Sequence, residues 1–480
     1  MLNCATGTLA PYSPAAGNDW DRVKAVHLHR RAGFGTGIYT VLADLERSPV
    51  DVVADLVQTA IDLPLSPEPE FSGRTQAEYG GLALLGSTLE KDGWARQWII
   101  DLQANGLRGR MAFFWHNHFV TRFDVHESSN YTYQYHRLLQ EYAVGNFRDF
   151  VRAMGTTPAM LVYLNGAQNL AGQPNENYAR ELYELFTLGD DNGYTQTDIE
   201  ETARALTGYT NITEPWGPIL FDPATHDDGE KTIFGRTGNW GYDDVIDLLF
   251  TERAPEIARF IAGELYEKFV NPAPDEAFIA LLAAALIEAD WEIAPVLAAL
   301  FSSEHFFDPA NFGTIIPGPI EHQLIIRNET NSLLNGLSIF GDWAEANEQG
   351  QLVFNPVDVA GWPGNRSWMN TTTVRRRWEW QASLFNSAQL FSYGYFQDLV
   401  RGATEETVDV EIICRDLIRY FLPNGLQFET DYAAALVAFK ANVPIAFFED
   451  GTWNTDNFAT PFQLAGLLNF LGRLPEFQLR

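Results

Sequence analysis

The sequence predicts a mainly α-helical protein, a single large multi-helix domain with a small β-hairpin excursion near 209–240 and an irregular loop near 351–373. Apolar residues recur every three to four positions along most of the 480 residues, which is the period of amphipathic helices. Glycine, proline, threonine and aspartate concentrate in the two irregular stretches. No Gly/Ser/Pro-rich linker divides the chain, so residues 21–480 are expected to form one helical domain behind a flexible segment at 1–20.

The individual elements follow from this periodicity in chain order. Residues 23–37 are expected to be a polar, glycine-punctuated opening segment, "VKAVHLHRRAGFGTG", and residues 64–86 a long loop. Short β-type pieces around 219–221 and 232–234 predict the hairpin. Helices are predicted at 38–62, 88–105, 107–120, 130–144, 146–155, 158–165, 175–188, 196–208, 241–251, 254–270, 274–289, 292–302, 318–337, 375–400, 406–421, 428–442 and 460–471.

Composition excludes several classes of protein. The chain is 46% hydrophobic and 20% charged, as globular proteins are, and its net charge of −31 would repel DNA, RNA and anionic lipid. The sequence contains no run of eighteen apolar residues that would predict a membrane span. The first 18 residues lack the basic and apolar regions of a secretory signal. Two cysteines, Cys4 and Cys414, are too few for a disulfide framework or a cysteine metal site.

Residues 175–189 form the richest candidate for a site, with the sequence "NENYARELYELFTLG". On a helix that begins after Asn175 and stops at Gly189, one arc is apolar and the other is polar. Salt bridges at i, i+4 spacing around the arginine would explain the polar arc structurally. Alternatively, carboxylates clustered on one face suit a cation site or a general base. The polar arc carries Glu176, Asn177, Arg180, Glu181 and Glu184.

The next helix shows the same ambiguity. It opens with Thr195 as the N-cap and Asp198 three residues later, which is a capping-box variant. It then presents Glu200, Glu201 and Arg204 opposite apolar residues. Because only a short turn separates the two helices, their carboxylates and arginines are expected to meet, either as a buried ion network or as a site.

The most informative histidines lie in residues 110–121, "RMAFFWHNHFVT". On a helix, His118 shares the most apolar stripe with Met111 and Trp115, so it is expected to be buried and to need a polar partner. A core histidine bonded to a carboxylate or a carbonyl would explain it. His116 and His118 would act as a metal pair only in an extended segment, because a helix places them on nearly opposite faces.

Two irregular segments could cover or rim a site. Residues 226–232, "HDDGEKT", offer His226 and Lys231, although a plain turn requires only the Asp-Gly pair. Residues 361–370, "GWPGNRSWMN", bring Trp362, Asn365 and Trp368 into one loop. That loop suits sugars or peptides, or it is simply anchored by its tryptophans. No nucleophile elbow, phosphate loop, dinucleotide fingerprint, HExxH or EF-hand pattern occurs.

These segments occur together in an order that resembles the bacterial family called domain of unknown function 1800. The resemblance extends from about residue 25 to residue 480 and includes "HLHRRAGFG", "FWHNHF", "NENYARELYELFTLG", "YTQTDIEETARALTGY", "HDDGEKTIFG", "VAGWPGNRSWMNTTTVRRR" and "PEFQLR". It implies an exported bacterial protein, periplasmic or extracellular, often encoded beside a sulfatase-like partner. It implies no established activity. The chain departs from the family in lacking a visible export signal and in the extra acid of "LGDDNGYTQ".

Three functional hypotheses follow. The first is a metal-dependent enzyme, hydrolytic or oxidative, that uses a divalent ion. Its proposed ligands are His118, Glu176, Glu181 and His226; Arg180 and Arg204 would orient carboxylates or bind an anionic substrate, and Glu184 or Asp198 would be the general base.

The second hypothesis is a non-catalytic binding or assembly protein that acts with a secreted sulfatase-like partner. Its contact surface would be the hairpin and the loop of Trp362 and Trp368, and the Glu/Arg face would be a structural ion network. The third is a metal-free acid–base enzyme acting on polysaccharide, with Glu181 and Glu184 as paired carboxylates and the tryptophan loop as a sugar platform. Trp362, Asn365, Trp368 and Lys231 are the predicted substrate-binding residues.

Overall fold

The computed structural model describes residues 7–441 and 443–480 and confirms the mainly α-helical class. Helices dominate the described chain, and the only strands within it form two small antiparallel pairs. The α-helices are α1 Arg22–Ala32, α2 Ile38–Leu45, α3 Pro49–Asp62, α4 Ala83–Ala104, α5 Gly106–His118, α6 Phe123–His126, α7 Ser129–Glu141, α8 Phe147–Gly155, α9 Pro158–Tyr163, α10 Asn177–Glu184, α11 Gln196–Ala205, α12 Tyr242–Glu252, α13 Ala254–Phe269, α14 Glu276–Glu288, α15 Ile293–Ser302, α16 Pro319–Glu329, α17 Ser338–Glu348, α18 Thr371–Phe391, α19 Tyr393–Ala403, α20 Val410–Phe421, α21 Glu429–Lys440, α22 Ala446–Glu449 and α23 Thr460–Leu471. Short 3-10 helices lie at Gln76–Leu82, Gly166–Gln168, Pro223–Thr225, Pro309–Asn311, Asn365–Trp368 and Pro475–Gln478.

The predicted hairpin excursion is confirmed as two strand pairs. Strand β1, Asn211–Ile212, pairs with β2, Ile219–Leu220, and β3, Lys231–Ile233, pairs with β4, Arg236–Gly238. The β3 strand lies against α11, so the excursion folds back onto the second polar helix.

Most of the opening segment is helical, although no helix was predicted there. Helix α1 begins after Asp21, whose side chain accepts a hydrogen bond from the backbone of Lys24. Its polar residues are buried because distant parts of the chain supply their partners: His29 Nε2 lies 2.6 Å from Asp44 Oδ2, and Arg30 forms a two-pronged salt bridge with Glu329.

Several predicted helix boundaries also moved. The helix predicted at 38–62 is two helices, since Ser48 caps a new helix that starts at Pro49. The helix predicted at 318–337 ends at Glu329, and the left-handed residue Asn331 follows it. The helix predicted at 375–400 breaks at Ser392, and α17 was not predicted.

Buried apolar side chains form two clusters. The larger one takes side chains from most of the chain up to Trp368, and the smaller one takes them mainly from 384–477. Two helices contribute to both clusters: α1 through Leu28 and Ala25, and α16 through Ile325 and Ile326. The assignment of 21–480 to one domain stays a prediction.

The start of the described chain is attached to this body. Tyr12 is buried, its backbone N–H donates to Ser302 O at 2.7 Å, and Ala10 O accepts from Glu304. Residues 1–6 of the predicted flexible segment, including Cys4, lie outside the described residues. Cys414 is a buried free thiol. None of the described helices combines the length and the apolar character needed to cross a bilayer.

Candidate functional site

The polar face of α10 is an ion-pair network at the surface. Arg180 Nη2 donates to Glu176 Oε2 at 2.9 Å, and Arg180 Nη1 donates to Glu184 Oε1 at 3.1 Å. Arg180 also donates to Gln196 Oε1 at 3.0 Å, which ties α10 to α11. Burial and then the charge of Glu184 raise the pKa of Glu181. Helices α10 and α11 therefore contact each other, and salt bridges at i, i+4 spacing explain why Arg180 lies on the polar face of α10.

The polar residues of α11 hold the β-hairpin excursion. Asp198 completes the capping box with Thr195 through one oxygen, and its other oxygen accepts from Phe234 N at 2.7 Å. Arg204 binds the carboxylates of Glu201 and Asp227. Each of these side chains has a structural partner, so nothing in the geometry presents them to a ligand.

Lys231 and His226 also face the protein. The buried Lys231 ammonium donates to the carbonyls of Asp227 and Gly229 and so fixes the turn that precedes β3. His226 Nδ1 lies 2.9 Å from Thr207 O. These contacts make Lys231 an internal anchor, whereas the sequence predicted a ligand contact.

The predicted metal ligands do not come together. Among residues 7–441 and 443–480, no group of three or more histidine, cysteine, aspartate or glutamate side chains has an arrangement that could hold a metal ion. His118 is buried, and its Nε2 lies 3.1 Å from Phe186 O. Its neighbouring carboxylate is Glu264 of α13, at 2.7 Å from Nδ1, rather than Glu176 or Glu181 of α10.

A cavity of about 200 Å³ lies between α5, α13, the start of α16 and the irregular loop predicted at 351–373. We call it the tryptophan cavity. Its walls combine two tryptophans with three carboxylates, one lysine and three side-chain amides, and such a mixture of apolar and polar groups is typical of a ligand pocket. It is lined by Phe113, Phe114, Asn117, Glu264, Glu267, Lys268, Ile315, Ile316, Gly318, Glu321, Gln351, Trp362, Pro363, Gly364, Asn365 and Trp368.

Helix α5 positions the tryptophan loop. Asn117 Oδ1 accepts from Trp362 N at 2.7 Å, and Asn117 Nδ2 donates to Trp362 O at 3.2 Å. Gly361 has φ +80°, and a Cβ there would come within 2.5 Å of Asn117 Oδ1, so the close approach requires glycine. His116 Nε2 accepts from Phe354 N at 3.1 Å. Two consecutive residues of α5 thus hold the loop at two points, near its start and near its middle.

The three predicted ligand-binding residues of this loop line the cavity. Trp362 is 4% exposed and Trp368 is 7% exposed, so both belong to the cavity wall and neither forms an exposed rim. The buried Trp362 Nε1 has no hydrogen-bond partner among the described residues. Asn365 Oδ1 accepts from Ile316 N at 3.3 Å.

A buried ion cluster forms the inner wall of the cavity. Glu321 Oε1 lies 2.7 Å from Arg110 Nη1 and also binds the Lys268 ammonium, while its Oε2 accepts from Gly318 N at 2.9 Å. Burial opposes the charge of Glu321, but Arg110 and then Lys268 outweigh it and lower the pKa of Glu321 to about 2. Although 27% of the Lys268 side chain remains exposed, desolvation lowers its pKa.

Two glutamates of α13 stand nearer to solvent. Glu267 is exposed, and partial burial followed by the charge of Glu264 raises its pKa. Glu264 Oε2 and His118 Nδ1 are 2.7 Å apart, but their orientation does not satisfy hydrogen-bond geometry, and neither atom has another hydrogen-bond partner among the described residues. This contact places a histidine behind a carboxylate that lines the cavity.

Sequence patterns indicated the loop and His118 but not the cavity residues of α13 and α16. Glu264, Glu267 and Lys268 follow Phe260 at i+4, i+7 and i+8, so one helical face carries three charges. This charged stripe could have identified α13 as part of a polar site. Glu321, the partner of Lys268, is more than fifty residues away, and no local pattern links the two.

Residues 27–479 match the protein family described as "Protein of unknown function (DUF1800)". No curated protein and no solved structure matches the chain. The match covers all of the elements that build the tryptophan cavity, from α5 through the loop to Trp368. The chain therefore belongs to the DUF1800 family.

Proposed function

We propose that the protein is an acid–base hydrolase that binds a small, hydroxyl-bearing ring in the tryptophan cavity and cleaves a glycosidic bond. The observation that carries this proposal is the contact between His118 Nδ1 and Glu264 Oε2 at the cavity wall. The proposal keeps the hydrolytic chemistry that the sequence suggested, but it moves the carboxylates from α10 to α13.

The hydrogen bond of His118 to Phe186 determines which ring nitrogen faces Glu264. Phe186 O can only accept, so His118 Nε2 carries a proton. In neutral imidazole the other nitrogen, Nδ1, is then a bare acceptor facing a carboxylate at 2.7 Å. The imidazole of His118 therefore lies against the carboxylate of Glu264 and fixes the position of this side chain at the cavity wall.

The two carboxyl groups receive different roles from their surroundings. The raised pKa of Glu267 suits a proton donor to the leaving oxygen. Glu264, held by His118, takes a proton from the attacking water. The glycosidic C–O bond breaks while the water oxygen bonds to the anomeric carbon. Glu267 gives its proton to the leaving oxygen, and the proton that Glu264 takes from water later returns to Glu267.

The volume of the cavity and its lining residues define the class of ligand. Ligand pockets usually span about 300–1,000 Å³, and this cavity of about 200 Å³ suits one ring rather than an internal stretch of polymer. Tryptophan walls suit the apolar face of a sugar ring, and carboxylates accept from hydroxyl groups.

The test uses a panel of chromogenic nitrophenyl monosaccharides, neutral, amino-substituted and acidic. We expect hydrolysis of neutral members, and a loss of about 10²-fold or more in kcat/KM for Glu264→Gln and for Glu267→Gln, the range typical of a lost acid or base. Glu288→Gln on the exposed end of α14 is the matched control and should retain full activity. No turnover with any neutral sugar, or unchanged turnover in Glu264→Gln, would refute the proposal.

The earlier alternatives receive less support from the geometry. Metal-dependent chemistry at His118, Glu176, Glu181 and His226 lacks a ligand group among the described residues. Association with a secreted sulfatase-like protein stays a prediction, as does a periplasmic or extracellular location. The buried positions of Trp362 and Trp368 remove them from the surface that such a partner would contact.

A further inference from the structure

Large apolar side chains lie open to water where the residues before α17, the end of α18 and the residues before α23 come together. Five of these residues are 62% to 89% exposed, namely Leu333, Leu337, Leu390, Phe391 and Phe458. We call these five residues the apolar face. Leu337 and Phe391 are 87% and 89% exposed, almost as open as in an unfolded chain. Single exposed apolar residues need no explanation, but a contiguous group of them does.

Helices α17 and α18 run alongside each other, which brings four of the five residues together. Trp380 Nε1 donates to Asp342 Oδ1 at 3.0 Å, and beyond the end of α18 Ser392 Oγ donates to Asn331 O at 3.4 Å. Phe391 follows Trp380 by eleven residues, which is about 20° away on a helix, so both lie on the same side of α18. That side faces the residues before α17, which carry the first two leucines of the apolar face.

The apolar face continues to the start of α23. The Tyr393 hydroxyl donates to Phe458 O at 2.7 Å. Leu390 and Phe391 precede Tyr393 by three and two residues. The end of α18 therefore lies between the leucines before α17 and the phenylalanine before α23, so the five residues form one surface.

The area of the apolar face is that of a protein interface. Leucine and phenylalanine residues present roughly 150 to 200 Å² each when fully open, so these exposed fractions leave roughly 650 Å² accessible. The largest apolar patch of a typical monomer is about 300–600 Å². Two copies of the face would bury roughly 1,300 Å², which falls within the range of about 1,200–2,000 Å² of stable interfaces.

The segments that carry the apolar face contain no charged side chain. Residues 331–341, 380–397 and 457–472 lack aspartate, glutamate, lysine, arginine and histidine, although one residue in five of the whole chain is charged. In a twofold contact a residue near the axis meets its own copy, so a charged residue there would meet a like charge. An interface with a different protein could pair opposite charges, and surfaces that bind membranes carry lysine and arginine beside their apolar residues. The absence of charge therefore favours a second copy of the chain.

We propose that the apolar face is the interface of a symmetric dimer of this chain. Burial of the five side chains supplies the attraction, and repulsion between two chains of net charge −31 opposes it. Salt screens this repulsion and leaves the apolar contact in place, so the dimer tightens as ionic strength rises. The inference is independent of the hydrolytic proposal, because none of the five residues lines the tryptophan cavity.

The first test measures association of the natural full chain by analytical ultracentrifugation at low and high NaCl. We expect a monomer–dimer equilibrium with a Kd of about 10 µM or lower, and a lower Kd at high NaCl. Hydrogen–deuterium exchange below and above this Kd should show added protection in residues 331–341 and 385–394 on dimerisation. A chain that stays monomeric up to about 100 µM would overturn the proposal, whether or not it binds phosphatidylcholine vesicles. A dimer that protects other segments instead would also overturn it.

The second test places a charge on the apolar face. Phe391→Asp and Leu337→Asp should each raise the Kd of the dimer by about 30-fold or more, because each puts a like charge on both sides of the contact. Both residues are exposed, so circular dichroism and Tm of the monomeric variants should match those of the natural chain.

Leu84→Asp is the matched control, since Leu84 is 51% exposed in the first turn of α4. It lies about 28 Å along α4 from Gln103, whose Oε1 accepts from Leu334 N beside the apolar face. Leu84→Asp should dimerise as the natural chain does. An unchanged Kd in both Phe391→Asp and Leu337→Asp would refute the assignment of the interface to the apolar face.

Discussion

Replacing Glu321 with glutamine tests the charge balance at the inner wall of the cavity. The folded pKa of Glu321 is about 2, against an ordinary value of 4.5. That difference of about 2.5 units corresponds to about 3.4 kcal/mol of stability at pH 7. Glu321→Gln removes the carboxylate and leaves Arg110 and Lys268 without a counter-charge, in line with the cost of breaking a buried ion pair.

The expected effect depends on pH in a defined direction. A depressed folded pKa gives stability that is fully present above 4.5 and is lost as pH falls through 2. The advantage of the natural chain over Glu321→Gln should therefore fall from about 3.4 kcal/mol at pH 7 to about 1.4 kcal/mol at pH 3.

Calorimetry and urea unfolding measure this difference. An unfolding entropy of about 2.1 cal/mol/K per residue gives about 1 kcal/mol/K for the chain, so Tm should fall by about 3 °C at pH 7. The control Glu379→Gln removes an exposed partner of Arg375 and should cost under about 0.5 kcal/mol. A loss below about 1 kcal/mol for Glu321→Gln, or a loss that stays constant with pH, would refute the reasoning.

Three further predictions concern the scaffold of the site. Gly361→Ala should lower the free energy of unfolding by about 2 kcal/mol in urea, because its Cβ would overlap Asn117 in a left-handed backbone; a neutral result would contradict that contact. Burial lowers the pKa of His116 to about 3, so the unfolded chain gains a proton below pH 6.5 that the folded chain refuses. Through His116, the free energy of unfolding of the natural chain should fall by about 1.4 kcal/mol per pH unit between pH 5.5 and 4. His116→Gln should lack this contribution in urea titrations at each pH, and an unchanged slope would count against a buried neutral imidazole. Asp198→Ala should cost about 3 kcal/mol, since it removes a helix cap and leaves Phe234 N unpaired; an equal Tm would show that this carboxylate is not structural.

Local patterns predicted the helical class, the hairpin and the capping of α11. Thr195 and Asp198 are three residues apart, and their hydrogen bonds depend only on the helix that they start. The tryptophan loop was also recognisable, because its composition departs from the helical texture around it.

Long-range partners explain what the sequence could not predict. Helix α1 was not predicted, because its buried polar residues take their partners from distant parts of the chain: Asp44 lies beside His29, and Glu329 pairs with Arg30. The cavity was missed because its lining residues come from segments that are far apart in the sequence. The metal prediction was drawn from residue types alone, and the fold instead places His118 beside Glu264.

The two helices shared by both apolar clusters have a consequence for how the molecule comes apart. Helix α1 and helix α16 each present side chains to the larger and to the smaller cluster. Unfolding of either cluster would expose one face of both helices to water. The buried Arg30–Glu329 pair that joins the two helices would then also be exposed. Limited proteolysis near residue 370 is therefore expected to yield no autonomous C-terminal fragment, since the smaller cluster would be left without helices that belong to the beginning of the chain.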